Sequence, residues 1–271
     1  MSHDVLAFIG GGNMAAAIIG GLRAGGRSGE TILVVDPGEQ QRVKLAAEHG
    51  VRTFAAADAA LASARVVVWA VKPQLFLAAA APCAAHVRGA LQLSVMAGIR
   101  SDAIVRATGS ERVVRSMPNT PALIGQGIAG LYAREAVSAD ERRTAEALLA
   151  TTGRTLWVAR EQDLDAVTAL SGSGPAYVFY FVEAMMQAAQ EMGLSAEQGK
   201  QLALATFAGA TALAQAADET PEVLRERVTS KGGTTYAALS SLEASGVKAA
   251  FVKALKAAQQ RAKELGDEFG G

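Results

Sequence analysis

Val5-Leu6-Ala7-Phe8-Ile9-Gly10-Gly11-Gly12-Asn13-Met14-Ala15 is the stretch on which the reading of the fold turns. Five apolar residues make a short strand, three glycines break it, and a helical pattern follows over residues 13–24. The break has the form G-x-G-x-x-A between strand and helix. Gly10 permits the tight turn, Gly12 lets the backbone come close to a pyrophosphate, and Ala15 lets helix pack closely on strand. Glycine-rich turns are common, so the position carries the argument more than the spelling. A second β-branched run over residues 31–35 ends at Asp36, about 20 residues on, where a dinucleotide-binding βαβ unit has an acidic residue. Asp36 reads as an acceptor for the adenosine ribose, which favours NAD and repels a 2′-phosphate, or as an acidic turn residue ahead of Pro37. Arg42, the nearest cation downstream, reaches a phosphate only if the turn folds back.

Outward from this unit the alternation continues. A helical pattern covers residues 39–49, apolar runs cover 65–71, 91–96 and 112–117, and another helix follows Pro73. Ser138 and Glu141 have capping-box spacing ahead of a helix ending near Gly153, and residues 154–158 supply a last strand. The predicted first domain, residues 1–160, is a parallel, doubly wound Rossmann-type sheet. Strand signals then stop, and residues 161–271 read as all α. Ala176 to Met186 is apolar nearly all round, so that helix needs burial on several sides. Ser195 with Gln198 caps the next helix, and Thr220 with Pro221 starts a shorter one. In the last helix Val247, Ala250, Phe251, Ala254, Leu255, Ala258, Ala262 and Leu265 share one face. A helical half this apolar predicts an obligate homodimer.

Composition narrows the partners. The chain has 271 residues, half of them apolar, with 26 Lys and Arg against 26 Asp and Glu. No basic face is advertised for nucleic acid or anionic lipid, and the longest apolar stretches are too short and interrupted to span a membrane. The residues after Met1 lack the basic and apolar regions of an export signal, and the single Cys83 rules out an internal disulfide framework, so a cytoplasmic protein is expected. His3, His49 and His86 lie in separate elements without ligand spacing, and no metal is expected.

Four further segments share one order along the chain: Ala70-Val71-Lys72-Pro73, Met117-Pro118-Asn119-Thr120-Pro121, Leu170-Ser171-Gly172-Ser173-Gly174-Pro175-Ala176-Tyr177 and Val228-Thr229-Ser230-Lys231-Gly232-Gly233-Thr234-Thr235. By itself, Lys72 reads as a positive charge near phosphate or substrate, or as a solvated rim lysine. Asn119 reads as a cofactor ligand or as the cap of its proline turn. Residues 230–235 read as a nest of backbone N–H groups and hydroxyls suited to a carboxylate, or as a capping loop before a helix near Tyr236. The serines at 171 and 173 read as caps of a proline-started helix bordering an active site.

Together with the glycine turn, these segments resemble pyrroline-5-carboxylate reductase over nearly the entire chain. The resemblance implies NADPH, with NADH as an alternative, as hydride donor to a cyclic imine, and proline as product. It assigns Gly10, Gly12, Asn13, Met14, Asp36, Ala70, Val71, Lys72, Pro73, Ala97, Gly98 and Asn119 to the cofactor. It assigns Ser230, Gly233, Thr234, Thr235 and Glu161 to the substrate, with Thr235 as the catalytic partner of the ring nitrogen. A threonine hydroxyl is a poor acid, so the imine is expected to bind already protonated or to be protonated through water. Glu161 reads equally as a plain surface carboxylate. Lys231 stands where many relatives have proline and Arg227 where some have asparagine; Asp218 is left unassigned. The resemblance also implies that dimers gather into a larger ring such as a decamer, with the partner chain completing the active site. Rival readings are another Rossmann imine reductase, a β-hydroxyacid dehydrogenase, or a non-catalytic nicotinamide-binding protein. The dehydrogenases use a lysine on the helix after the serine-glycine motif, and residues 175–186 contain none.

Overall fold

The computed structural model describes residues 4–269; Met1 and His3 of the amino-terminal reading lie outside that range. The chain forms two compact units, divided after Gly174 and again after Lys256.

The first unit holds one eight-stranded sheet. Its strands are β1 (Val5–Ile9), β2 (Ile32–Val35), β3 (Arg52–Phe54), β4 (Ala64–Trp69), β5 (Leu91–Ser94), β6 (Val113–Met117), β7 (Gly127–Ala133) and β8 (Gly153–Trp157). Their spatial order is β3-β2-β1-β4-β5-β6-β7-β8. Strands β1 to β6 are parallel, as expected, but β7 pairs antiparallel to β6 and β8 pairs parallel to β7. The expectation of an all-parallel sheet is therefore corrected at this edge. Residues 118–126, between β6 and β7, are fewer than the roughly dozen a parallel crossover needs, so the chain turns back.

Burial on both faces explains why the central strands read as unbroken apolar runs. Helices α1 (Asn13–Ala24), α2 (Glu39–His49) and α6 (Ala139–Leu149) cover one face, through Ile18, Ile19, Leu45 and Leu148 against Phe8, Val34 and Val68. Helices α3 (Phe76–Ala80), α4 (Ala84–Val87) and α5 (Ser101–Thr108) cover the other, through Phe76, Val87 and Ile104 against Ile9, Val67 and Trp69. On the β5 face that meets this second layer, Gln92 accepts a hydrogen bond from Trp69 Nε1 (2.9 Å) and donates to the carbonyls of Val87 and Ala90. The capping box Ser138–Glu141 forms as predicted.

Helix α7 (Asp163–Val167) closes the first unit, and α8 (Gly174–Glu191), α9 (Ala196–Ala216), α10 (Pro221–Arg227) and α11 (Thr234–Ala244) make most of the second. Helix α12 (Val247–Phe269) begins in the second unit and ends in the first. The capping box at Ser195 and Gln198 is present.

Three local expectations change. Thr168–Gly172 forms a π-helical turn leading into α8, and Ser171 does not cap a helix: its hydroxyl donates to the Val167 carbonyl at 3.1 Å. Helix α11 starts at Thr234, two residues before the predicted start near Tyr236. Helix α8, read as apolar nearly all round over residues 176–186, buries only Val182 and Ala189, while Phe179 and Tyr180 stand 59% and 69% exposed. Its inner contacts are edge-to-face, Tyr177 and Phe181 each meeting Phe251 of α12 at ring distances of 5.8 and 5.6 Å.

At the carboxyl edge of the sheet a single glycine sets how closely β1 and β4 converge. Gly10 has φ +95°, and a Cβ there would lie 2.7 Å from the Ala70 carbonyl oxygen. Gly10→Ala is therefore expected to lower unfolding free energy by about 2 kcal/mol or more, measured by urea denaturation. Gly12→Ala, whose added carbon meets nothing within 4 Å, is expected to leave stability unchanged within about 0.5 kcal/mol.

Candidate active site

The glycine turn is stitched to both neighbouring strands. Gly10 N–H donates to the Val35 carbonyl and Ala70 N–H to that of Ile9, each at 2.8 Å. Gly12 is the N-cap of α1, has no side chain to cap it, and is exposed; no acidic residue stands in the first helical turn. The first N–H groups of α1, around Asn13 and Met14, thus face open space with the positive end of the helix dipole behind them. That is the arrangement that takes a phosphate. Ala15 is fully buried beneath the turn.

Asp36, at the end of β2, is held by its own neighbourhood: Gly11 N–H donates to Oδ2 and Gly38 N–H to Oδ1, both at 2.8 Å. Gln41 Nε2 donates to the Gly11 carbonyl, a second tie between this turn and the glycine loop. Beside it a cleft of about 340 Å³ is walled by Val35, Pro37, Ala55, Ala57, Val71 and Leu75. Cys83 also lines it, buried, with its thiol pushed up to about 11 by that burial, which makes it a packed rather than a reactive cysteine. The cleft was not anticipated; the only signal for it was the run of three alanines after Phe54.

The remaining strand ends lie on the same edge of the sheet, since β4, β5 and β6 run parallel to β1. Ala70 and Val71 are half-buried against the glycine turn, Lys72 is exposed, and Pro73 opens a short 3-10 turn. Beyond β5, Ala97 and Gly98 are half-buried, and Gly98, at φ +76°, has Leu265 and Phe269 of α12 at its back. Asn119 accepts a hydrogen bond from Ile128 N–H through Oδ1 (3.0 Å), which fixes the turn between β6 and β7 and leaves its amide N–H groups for other partners.

Glu161 takes three hydrogen bonds within the first unit. One carboxylate oxygen accepts from Ser101 N–H (2.6 Å) and Arg115 Nη1 (2.8 Å), the other from Ser101 Oγ (2.7 Å). This places a carboxylate at the N-terminus of α5 and pairs it with an arginine that is only 6% exposed. Arg100 makes a two-pronged bridge to Asp165 at 3.0 and 2.9 Å. Burial opposes the charge of Arg100, but the hydrogen bonds and charge of Asp165, with Glu161 and Asp267, outweigh it and raise its pKa. Burial lowers that of Arg115 despite Glu161. Ser101, Arg115 and Asp165 gave no sign of this network in the sequence.

In the second unit, Gly233 is the N-cap of α11 and its N–H closes the loop onto the Ser230 carbonyl at 3.0 Å. Gly232 takes φ +74°, which bends the chain into the helix. Ser230 and Thr234 are exposed and Thr235 is half-buried at the start of α11. With no acidic residue in that first turn, the loop offers backbone N–H groups and hydroxyls without a competing carboxylate. Lys231 is exposed, and Arg227 pairs with Glu219.

The chain matches the family described as pyrroline-5-carboxylate reductase dimerisation over residues 161–265, and that described as coenzyme F420-dependent NADP oxidoreductase over residues 5–98. It is 45% identical to the pyrroline-5-carboxylate reductase of Pseudomonas aeruginosa, with the whole of both chains covered. The chain belongs to the pyrroline-5-carboxylate reductase family. The family enzyme of Haemophilus influenzae is 41% identical, with 98% of each chain covered. Among solved structures, a pyrroline-5-carboxylate reductase from Coxiella burnetii superposes with a TM-score of 0.90 at 36% identity, covering 97% of this chain and 99% of that one. A pyrroline carboxylate reductase from Plasmodium falciparum, solved with NADP bound, superposes with a TM-score of 0.87 at 28% identity, covering 98% and 99%. Among the described residues, no group of His, Cys, Asp and Glu is arranged to hold a metal ion, and no helix is long and apolar enough to cross a membrane.

Removing the partner of a buried charge is more damaging than removing the pair. Glu161→Gln, which leaves Arg115 buried and uncompensated, is expected to lower unfolding free energy by about 3 kcal/mol in urea denaturation. The double substitution Glu161→Gln with Arg115→Met should recover a large part of the loss.

Proposed function

We propose that this chain reduces 1-pyrroline-5-carboxylate to L-proline with NADPH, NADH serving as an alternative donor. Full-length identity of 45% to a reductase of that name carries the reading. Its physical support is the uncapped N-terminus of α1 above an open Gly12. When bound, the reduced nicotinamide supplies a hydride to the imine carbon.

The chain's own groups bind and orient. The backbone at Gly10, Gly12, Asn13 and Met14 receives the pyrophosphate, and Asp36 marks the adenosine ribose, with the alanine-walled cleft beside it for the adenine. Ala70, Val71, Lys72 and Pro73, together with Ala97, Gly98 and Asn119, line the nicotinamide half. Ser230, Gly233 and Thr234 hold the substrate carboxylate in the loop at the start of α11. Thr235 hydrogen-bonds the ring nitrogen and sets its orientation; the imine arrives protonated or takes its proton through water, so that hydride addition leaves the neutral secondary amine. Glu161, held by Ser101 and Arg115 through three hydrogen bonds, positions α5 and β6, and the lone pair left on its second oxygen is turned to the substrate.

We place the functional division at residues 1–160 for the cofactor and 161–271 for substrate and dimerisation, where the dimerisation match begins. The exposed aromatic face of α8 and the exposed Leu202 and Leu213 of α9 are covered by a second copy of this chain. Dimers of this kind assemble into a ring such as a decamer, the partner chain completes the active site, and the enzyme works in the cytoplasm.

Two measurements test this reading. Imine-dependent loss of reduced-nicotinamide absorbance is expected with purified protein. Thr235→Ala is expected to lower kcat/KM for the imine by about tenfold or more, the scale of one lost hydrogen bond in a transition state, with NADPH affinity unchanged. Equal loss of both would make the loop structural. Light scattering is expected to give a dimer or a multiple of it, and a fully active monomer would overturn the assembly.

A further inference from the structure

The turn after β2 folds back on itself. Arg42, in the first turns of α2, donates from Nη1 to the carbonyls of Asp36 and Pro37, both at 2.8 Å. Its guanidinium is thereby fixed at the end of β2, beside the carboxylate that an adenosine ribose would meet, with Nε and Nη2 left over. Those two donors have the planar spacing that matches a phosphate. Asp36, for its part, forms no salt bridge among the described residues; its two oxygens each take one backbone N–H and keep a lone pair. The turn therefore presents an anion and a cation side by side, held by separate backbone bonds.

We propose that Arg42 is the residue that admits the 2′-phosphate of NADPH in this chain, against the repulsion of Asp36, while Asp36 accepts the free 2′-hydroxyl of NADH. The two cofactors are then discriminated by opposite charges at one turn, and the chain uses both. This rests on the nicotinamide reading above and adds which residue decides between the cofactor forms. An acidic residue alone at this strand end selects for NAD by repelling phosphate. A guanidinium at the same turn offsets that repulsion, and because both charges stand near solvent the offset weakens with salt.

The test compares steady-state kinetics with NADPH and NADH at saturating imine, and calorimetric binding of NADP+ and NAD+ without imine, for the unmodified protein, Arg42→Gln, Arg42→Lys and Asp36→Asn. For Arg42→Gln the ratio of kcat/KM with NADPH to that with NADH is expected to fall about tenfold, the worth of one charge-assisted contact. The affinity ratio for the oxidised forms should fall in parallel. Arg42→Lys should restore part of the ratio, and Asp36→Asn should move it the other way. The NADPH preference of the unmodified protein should shrink as salt is raised. Equal effects of Arg42→Gln on both cofactors would overturn the proposal and leave Arg42 a clamp of the turn. Normal discrimination in binding with no imine turnover would count against the reductase reading instead, and would leave the assignment of Arg42 standing.

Discussion

Two backbones approach within van der Waals distance at the carboxyl edge of the sheet, and the organisation of the first unit follows from that contact. The Gly10 turn presses against the peptide of Ala70 and Val71, where a side chain would stand 2.7 Å from a carbonyl oxygen. Without it β1 could not hand the chain to α1 while remaining bonded to β2 on one side and β4 on the other. The closeness leaves α1 with its first N–H groups pointing out of the sheet, so the electrostatic feature that attracts a phosphate is a by-product of packing. The same edge collects the ends of β4, β5 and β6, because those strands run parallel.

The Glu161–Arg115–Ser101 cluster does a different kind of work. A buried ion pair adds little net stability compared with an apolar pair, since desolvation offsets the attraction. What it adds is geometry: a carboxylate with three donors around it has one arrangement that satisfies them all. Arg100 and Asp165 repeat the device close by, and the Cβ that Gly266 lacks would collide with the Arg100 guanidinium. Charges fix where α5, α7 and the end of α12 meet, beside the apolar layer that Ile104 of α5 and Phe269 of α12 join.

What was legible in the sequence was what local pattern encodes. The runs at β1, β2, β4 and β6, the glycine turn and both capping boxes depend on neighbours a few residues away, and they appear as read. Strands β3 and β7 did not, because three residues carry no periodicity and GIAGLYA has glycines where a strand signal needs branched side chains. Asp36 illustrates a subtler limit: its spacing was visible, but its two backbone partners, one of them 25 residues back, depend on how two loops meet. Glu161 was read as near a substrate or as plain surface; its bond to Arg115, 46 residues away, is a tertiary fact without a local trace. Helix α8 is the converse case, where the apolar pattern was plain and a single chain does not account for it.

Helix α12 begins among the helices of the second unit and finishes in the first, with Ala262 and Gly266 buried there. The first unit is thus built from two separate stretches, the residues before 175 and those after 256. During synthesis the residues of the sheet are made first, and the surface around Gly98 and Arg100 stays bare until the end of α12 has left the exit tunnel. In an amino-terminal fragment that lacks residues 257–269, that surface, the seat of the end of α12, remains open.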